Sequence, residues 1–328
     1  MRGSGNSKLS IVMYHYVRDL ARSRYPEIKG LTTEAFEGQI DYIKKHYRVV
    51  SGDELIAAVI SKSPLPPKAL LLTFDDGYSD HYDTVLPILE REGIKGCFFP
   101  PARCILEDEV LDVNKIHFIL ASVADKSVLV EAVFRLMDEN RAEFAIQDRQ
   151  AYWSKLASAS RYDTAEVIFI KRMLQRELPE TLRGIIVDRL FRDYVTADEA
   201  AFSRELYMDL TKIRHMREAG MLVGSHGYRH YWLDHLAPAA QREEIERSVD
   251  FLRLAGCSTS SWMMCYPYGA YNDSLLGILA GAGCKVGLTT EVGVADIASH
   301  MALTLPRLDT NDLPKAGASK ASEWTLRA

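Results

Sequence analysis

Chemistry concentrates in three short stretches of the 328-residue chain. The first is Thr73-Phe74-Asp75-Asp76-Gly77, which follows the apolar run Ala69-Leu70-Leu71-Leu72. Two adjacent carboxylates at the end of a buried strand are costly unless something compensates their charge. An isolated Asp-Asp-Gly is also the make-up of an ordinary turn or helix N-cap. The second stretch is Ser225-His226-Gly227-Tyr228-Arg229-His230, at the end of the run Met221-Leu222-Val223-Gly224. Imidazoles four residues apart face one way on a helical turn, as in other zinc sites. The third, Cys265-Tyr266-Pro267-Tyr268-Gly269, follows residues 262–265. It suits a rigid loop that presents backbone N–H groups, or an aromatic turn without chemistry. All three lie at strand ends, where α/β folds place ligands. Two histidines and one carboxylate leave positions open for water and substrate, the pattern of a catalytic divalent metal.

In this order the stretches resemble the NodB-homology polysaccharide deacetylases, carbohydrate esterase family four. Thr73 to Gly77 matches that family's first motif in full. His226 to His230 matches the second, His-[Ser/Thr]-x-x-His, with Gly227 in place of the hydroxyl residue. Tyr266-Pro267-Tyr268-Gly269 resembles the third, Arg-x-Pro-[Phe/Tyr]-Gly, but Cys265 stands where the arginine is usual. The resemblance implies a distorted (β/α) barrel and metal-dependent removal of an N-acetyl or N-formyl group from a sugar. Carried over by position, it implies Asp76, His226 and His230 as metal ligands, Asp75 as general base, and the backbone N–H of Tyr268 as an oxyanion donor. The ion expected is zinc, with cobalt, nickel or iron as alternatives that the sequence does not separate.

An amide carbon is a poor electrophile, and its amine must be protonated as it leaves, so a general acid is needed. The family usually supplies a late Leu-x-His histidine, which is missing here. His300 is late in the chain, but its setting, Ala298-Ser299-His300-Met301, matches poorly. His15, in Met13-Tyr14-His15-Tyr16, resembles the acid of the permuted branch that deacetylates poly-N-acetylglucosamine, and it is the acid expected. Arg307, in Leu305-Pro306-Arg307-Leu308, is the candidate to replace the missing arginine at position 265, with Asp309 as its partner or as loop polarity. His81, His117, His215 and His235 lack partners at ligand spacing and are expected to be structural or exposed.

The elements that must hold these residues alternate. Apolar runs at 11–14, 69–74, 97–99, 221–225, 262–266, 285–289 and 302–305 suit buried strands. Amphipathic stretches lie between many of them. Phe36, Ile40 and Ile43 fall at helical spacing after Thr32-Thr33, and Ile245, Val249 and Leu252 do so later. The pattern predicts an α/β fold with a mainly parallel sheet. It splits into a first barrel half at 8–105, a helical insertion or lid at 106–205, a second half at 206–314 and a polar tail at 315–328 that frays. In the insertion, Val167, Ile168, Leu174 and Leu178 suit one helix, and Leu182, Ile186, Leu190 and Tyr194 another that Pro179 can start. Asp163 with Glu166 and Thr196 with Glu199 look like N-terminal caps.

Composition narrows the function. The chain is 47% hydrophobic and 26% charged, an ordinary globular balance. A formal charge of −5 leaves no basic surplus for a nucleic-acid partner. No run approaches the roughly 18 apolar residues of a membrane span. Met1 to Ser7 is Gly/Ser-rich and lacks a signal-peptide core. Five widely spaced cysteines suggest reduced thiols and a cytoplasmic site. The expected partner is an N-acylated sugar or glycan, such as a precursor of surface-polysaccharide synthesis, with the insertion as lid or homo-oligomer interface. The alternatives are O-acetyl ester hydrolysis and a catalytically silent carbohydrate-binding scaffold.

Overall fold

The computed structural model describes residues 6–160 and 163–328, so most of the Gly/Ser-rich start lies outside the described residues. The chain forms two compact units. One holds the described residues up to Asp19 with Gly30–Asp108 and Arg204–Ala328; the other holds Leu20–Lys29 and Glu109–Ser203.

The first unit is a barrel. Its strands are β1 (Lys8–Tyr14), β2 (Arg48–Val49), β3 (Ala69–Asp75), β4 (Cys97–Phe99), β5 (Leu222–Val223), β6 (Trp262–Cys265), β7 (Cys284–Val292), β8 (Ala295–Asp296) and β9 (Leu305–Asp309). Seven follow one another in the order β5-β4-β3-β1-β9-β7-β6, every neighbouring pair parallel. Ser225, just past β5, bridges to Met264 of β6: its N–H donates to Met263 O at 3.0 Å and its carbonyl accepts from Cys265 N–H at 2.8 Å. The sheet thus nearly closes. β2 lies beside β3, and β8 runs antiparallel to the first residues of β1.

Side chains alternate across a strand, and two apolar clusters result. Leu9 and Ile11 of β1, Leu71 of β3, Cys97 and Phe99 of β4, Met263 of β6, Leu288 of β7 and Leu305 of β9 meet in the barrel interior. Their neighbours Val12, Tyr14, Leu70, Leu72, Phe74 and Phe98 pack outward against helices such as Thr33–His46, with Phe36, Ile40 and Ile43. Strands buried on both faces explain the continuous apolar runs in the sequence. The last strand is displaced from its expected place: residues 302–304 form a turn, and β9 runs from Leu305 to Asp309, carrying Arg307 within it. An arginine there contradicts the apolar pattern because its charge is neutralised inside the barrel.

The C-terminal residues do not fray. Thr325 is buried, Tyr42 Oη lies 2.7 Å from its hydroxyl, and Lys68 Nζ donates to Thr325 O and Ala328 O at 2.6 and 3.0 Å.

The second unit is helical, with no strand among its described residues. Its helices include Asp112–Ser122, Lys126–Glu139, Ala165–Arg172 and Glu180–Tyr194. Two cap expectations shift by one or two residues. Thr164, not Asp163, caps Ala165–Arg172 through Val167 N–H, while Asp163 pairs with Lys29 and Lys171. Asp198, not Thr196, accepts from Ala201 N–H at 3.0 Å. The apolar face also rotates: Phe169 and Ile170 are buried where Val167 and Ile168 are only partly so. Among the described residues, no helix is long and apolar enough to cross a membrane.

Candidate metal centre

The inward face of β3 begins apolar, with Ala69 and Leu71, and ends polar, with Thr73 and Asp75. Both Asp75 and Arg307 are buried, at 1% and 2% exposure. Arg307 meets Asp75 from two strands away: Nη1 donates to Asp75 Oδ1 at 3.0 Å, and Nη2 forms an ion pair with Oδ2 at 2.8 Å. Arg307 Nε donates to Thr289 O at 2.8 Å, which fixes the plane of the guanidinium. Burial is the largest influence on the Asp75 pKa and would raise it, but Arg307 beside it, together with the nearby His226 and His15, outweighs burial and holds it at about 2. Asp309 is not Arg307's partner; it caps the turn Thr310–Asp312 by accepting from Asn311 N–H at 2.8 Å.

Asp76 lies one residue past β3 with φ 74°, and its N–H donates to Phe99 O at 3.1 Å. Gly77 follows at φ 69°, where a Cβ would come within 2.6 Å of Pro100 Cβ. This left-handed pair, open to glycine and tolerated by aspartate, turns Asp76 away from Arg307. Asp76 Oδ2 accepts from Tyr78 Oη at 2.5 Å. Oδ1 is buried with no hydrogen-bond partner, and it lies 3.5 Å from both His226 Nε2 and His230 Nε2. Burial pushes the Asp76 pKa up, yet the surrounding imidazoles hold it well below the usual carboxylate range.

The two histidines do not share a helical turn, contrary to the spacing argument. Residues 226–230 form a loop with Gly227 at φ 77° and His230 at φ 60°. His226 Nδ1 lies 2.8 Å from Cys265 O, so it donates there and points its Nε2 at Asp76. Against burial, Cys265 and the Asp76 and Asp75 carboxylates raise the pKa of this ring well above the ordinary value, so a cation at Nε2 would take the place of a proton. Burial and the neighbouring His226 drive the His230 pKa down to about 3, leaving that ring neutral and able to donate a lone pair.

Ligand atoms of Asp76, His226 and His230 all lie within 4.8 Å of one another. Two imidazole nitrogens and one oxygen, the orphaned buried Asp76 Oδ1, fit a divalent cation with open positions. Asp75, His226 and Cys265 are also mutually close. That set fits a cation poorly: Arg307 already neutralises Asp75, His226 Nδ1 is engaged by Cys265 O, and burial raises the Cys265 thiol pKa.

His15 immediately follows β1, is exposed, and lies near enough to Asp75 and Asp76 to lower both carboxyl pKa values. His300 sits at the other end of the barrel. Its Nδ1 accepts from Asp296 N–H at 3.1 Å, and Asp296 pairs with Lys8 at the start of β1. Tyr268 occupies a left-handed turn at φ 58°, its ring 4.8 Å from that of His230 and stacked on Trp232 at 4.4 Å.

Three residues escaped the motifs. Tyr78 holds Asp76, as described. His81, expected to be structural or exposed, is fully buried, and its Nε2 donates to His15 O at 2.9 Å. Burial lowers the His81 pKa to about 4. Glu244 is buried against the histidine loop. Polar Gln241, Glu244 and Ser248 share the buried face of helix Pro238–Leu254, and that polar spacing was the available signal.

A family model described as Polysaccharide deacetylase matches residues 62–140 and 196–287, just over half of the chain. Over 80 residues the chain is 35% identical to the poly-beta-1,6-N-acetyl-D-glucosamine N-deacetylase of Escherichia coli (strain K12), covering 24% of this chain and 12% of that protein. It is 29% identical over 100 residues to YxkH of Bacillus subtilis (strain 168), covering 30% of this chain and 34% of that protein. The match thus spans about a third or less of either curated relative. Among solved structures, a deacetylase of Streptococcus pyogenes, PplD in complex with acetate, superposes with TM-score 0.57 at 18% identity, over 98% of this chain and 96% of that one. IcaB from Ammonifex degensii gives 0.55 at 19%, over 93% and 92%. These likenesses establish a shared barrel fold.

Proposed function

This chain belongs to the polysaccharide deacetylase family, and on that premise we propose that it hydrolyses an N-acetyl or N-formyl amide on a sugar with a divalent ion, zinc first among the candidates, held by Asp76, His226 and His230. The observation that carries the reading is the buried Asp76 Oδ1, without a hydrogen-bond partner and equidistant from two imidazole nitrogens. An ion bound there supplies Lewis-acid polarisation of the amide carbonyl and acidifies water.

The rest falls to the chain's own side chains. Asp75 takes a proton from the attacking water, and Arg307 keeps its carboxylate ionised and fixed in direction. By the family resemblance, the Tyr268 backbone N–H is the donor to the charge that develops on the carbonyl oxygen. The C–N bond then breaks, and His15 delivers a proton to the departing amine nitrogen; its place at the end of β1, opposite His300, supports that role. A silent scaffold would rest on the altered third motif and the missing late histidine motif; the Arg307–Asp75 pair supplies the charge that Cys265 does not. The E. coli relative's name points to N-acetylglucosamine units; a glycan, or its precursor in surface-polysaccharide synthesis, is the substrate we infer.

The test is acetate or formate release from N-acylated sugar nucleotides and β-1,6-linked N-acetylglucosamine oligomers. Turnover should require added or copurified metal and fall at least about 100-fold in Asp75→Asn. No acyl release from any substrate, with no metal bound, would overturn the proposal. His15→Ala should bind metal normally yet turn over an unactivated amide slowly; near-normal turnover would remove His15 as the acid.

A further inference from the structure

The histidine loop must bring two imidazoles onto one carboxylate oxygen without a helix to organise it. Buried backbone N–H and C=O groups need partners, and those of this loop can be traced. Gly227 N–H donates to Ser225 Oγ at 3.1 Å. The carbonyls of Gly227 and Tyr228 accept from Ala102 and Arg103 N–H, at 3.2 and 2.9 Å, at the start of helix Ala102–Glu107. Two further backbone donors and one side chain of the loop converge on a single carboxylate. Tyr228 N–H and Arg229 N–H both reach Glu244 Oε2, at 3.1 and 2.9 Å, and Arg229 Nη1 reaches Oε1 at 2.7 Å.

Glu244 is only 1% exposed. A buried carboxylate is tolerated when donors compensate it, and these three all come from the loop between the two histidines. Carboxylate and loop therefore fix each other. Strain makes the support necessary: His230 holds φ 60°, a left-handed conformation that a residue with a Cβ keeps only when its surroundings hold it there. Without Glu244, two consecutive N–H groups would lose their acceptor and the loop its reason to stay folded.

We propose that Glu244 is the positioning residue of the metal centre: it sets the separation of His226 and His230 and thereby the affinity for the ion. The inference rests on the metal-centre reading above. It concerns a residue that touches neither ion nor substrate and acts through the loop backbone.

The experiment is zinc affinity by chelator competition on the full chain, at a temperature where circular dichroism shows each variant folded, with thermal unfolding of the metal-free protein alongside. Glu244→Ala should weaken zinc binding about 10- to 100-fold, the usual effect of losing a supporting partner. Glu244→Gln should recover most of it, because its amide oxygen still accepts from Tyr228 and Arg229. Glu244→Asp keeps the charge but withdraws it by one methylene, and should weaken zinc several-fold; it carries the test if the alanine variant does not fold. Zinc binding that His226→Ala abolishes but Glu244→Ala and Glu244→Asp leave within twofold of the unmodified chain overturns this inference alone. Zinc binding unchanged by His226→Ala overturns the metal centre and the inference with it.

Discussion

At the start of the barrel strands the inward side chains are Leu9, Ala69 and Cys97, and helix Gly52–Ser61 adds Leu55, Ile56 and Ala58 to the same cluster. At the strand ends the same inward faces carry Asp75 and Arg307, with Asp76, His226, His230 and Tyr268 just beyond. The first end is held by area removed from water, which is indifferent to direction. The second is held by paired charges and directed hydrogen bonds. Three of the six non-glycine residues with positive φ among those described, Asp76, His230 and Tyr268, stand at this second end. Local strain there is stabilised by the apolar end of the same strands. The difference teaches where tolerance lies: volume matters at one end, identity at the other.

Removing Arg307 should break the contrast most severely. Arg307→Ala leaves Asp75 buried without its cation and should cost about 3–5 kcal/mol of stability by denaturant unfolding. Asp75, now held down by Arg307, should titrate higher, so the acid limb of the kcat/KM profile moves to higher pH. A profile and stability like those of the unmodified chain would mean the ion pair contributes nothing.

Leu71, two residues before Thr73 on the inward face of β3, tests the other end. Leu71→Ala should lose about 2–5 kcal/mol through the cavity it leaves, while the folded fraction keeps its turnover. A collapse of kcat in folded protein would show that the two ends are not separable.

His81 sharpens the comparison through pH. Its pKa is about 4 in the folded chain against 6.5 as the ordinary value, because burial disfavours the charged ring. Below pH 6.5 the unfolded chain binds a proton that the folded chain does not. Stability should therefore be complete above about pH 6.5 and decline as pH falls toward 4, by about 3 kcal/mol at most. His81→Asn should flatten that slope in unfolding curves taken between pH 4 and 7; an unchanged slope would exclude His81 as its source.

The smallest effect belongs to the capping box at the apolar end. Ser51 accepts from Glu54 N–H at 3.2 Å, and Glu54 Oε2 accepts from Ser51 N–H at 2.6 Å. Ser51→Ala should cost about 1 kcal/mol and leave kcat unaltered, as thermal unfolding and an assay in parallel would show.

Much of this was legible beforehand. Apolar runs located the strands because a barrel strand is buried on both faces, and Phe36, Ile40 and Ile43 marked a helix by spacing alone. The displaced β9, the caps at Thr164 and Asp198 and the docked C-terminus were not, since each depends on a partner distant in sequence or on competition among adjacent polar residues. The resemblance marked Asp75, Asp76, His226 and His230 as chemical residues, but the spacing argument misjudged how the histidines converge, because left-handed backbone at Gly227 and His230 leaves no periodic trace. His81 and Glu244 left only a weak one, a polar residue on a face that should be apolar.

By itself, then, the sequence determined which residue types stand at the strand ends, where alternation gives way to a helical stretch, and which carboxylates and imidazoles are available. The tertiary structure alone decided that Asp75 turns to Arg307, 232 positions away, that Asp76 turns to the histidines, and that His15 rather than His300 shares their end of the barrel. Local patterning records periodicity and burial, which each segment carries in its own residues. Pairing across hundreds of positions follows from strand order and register, which no single segment encodes.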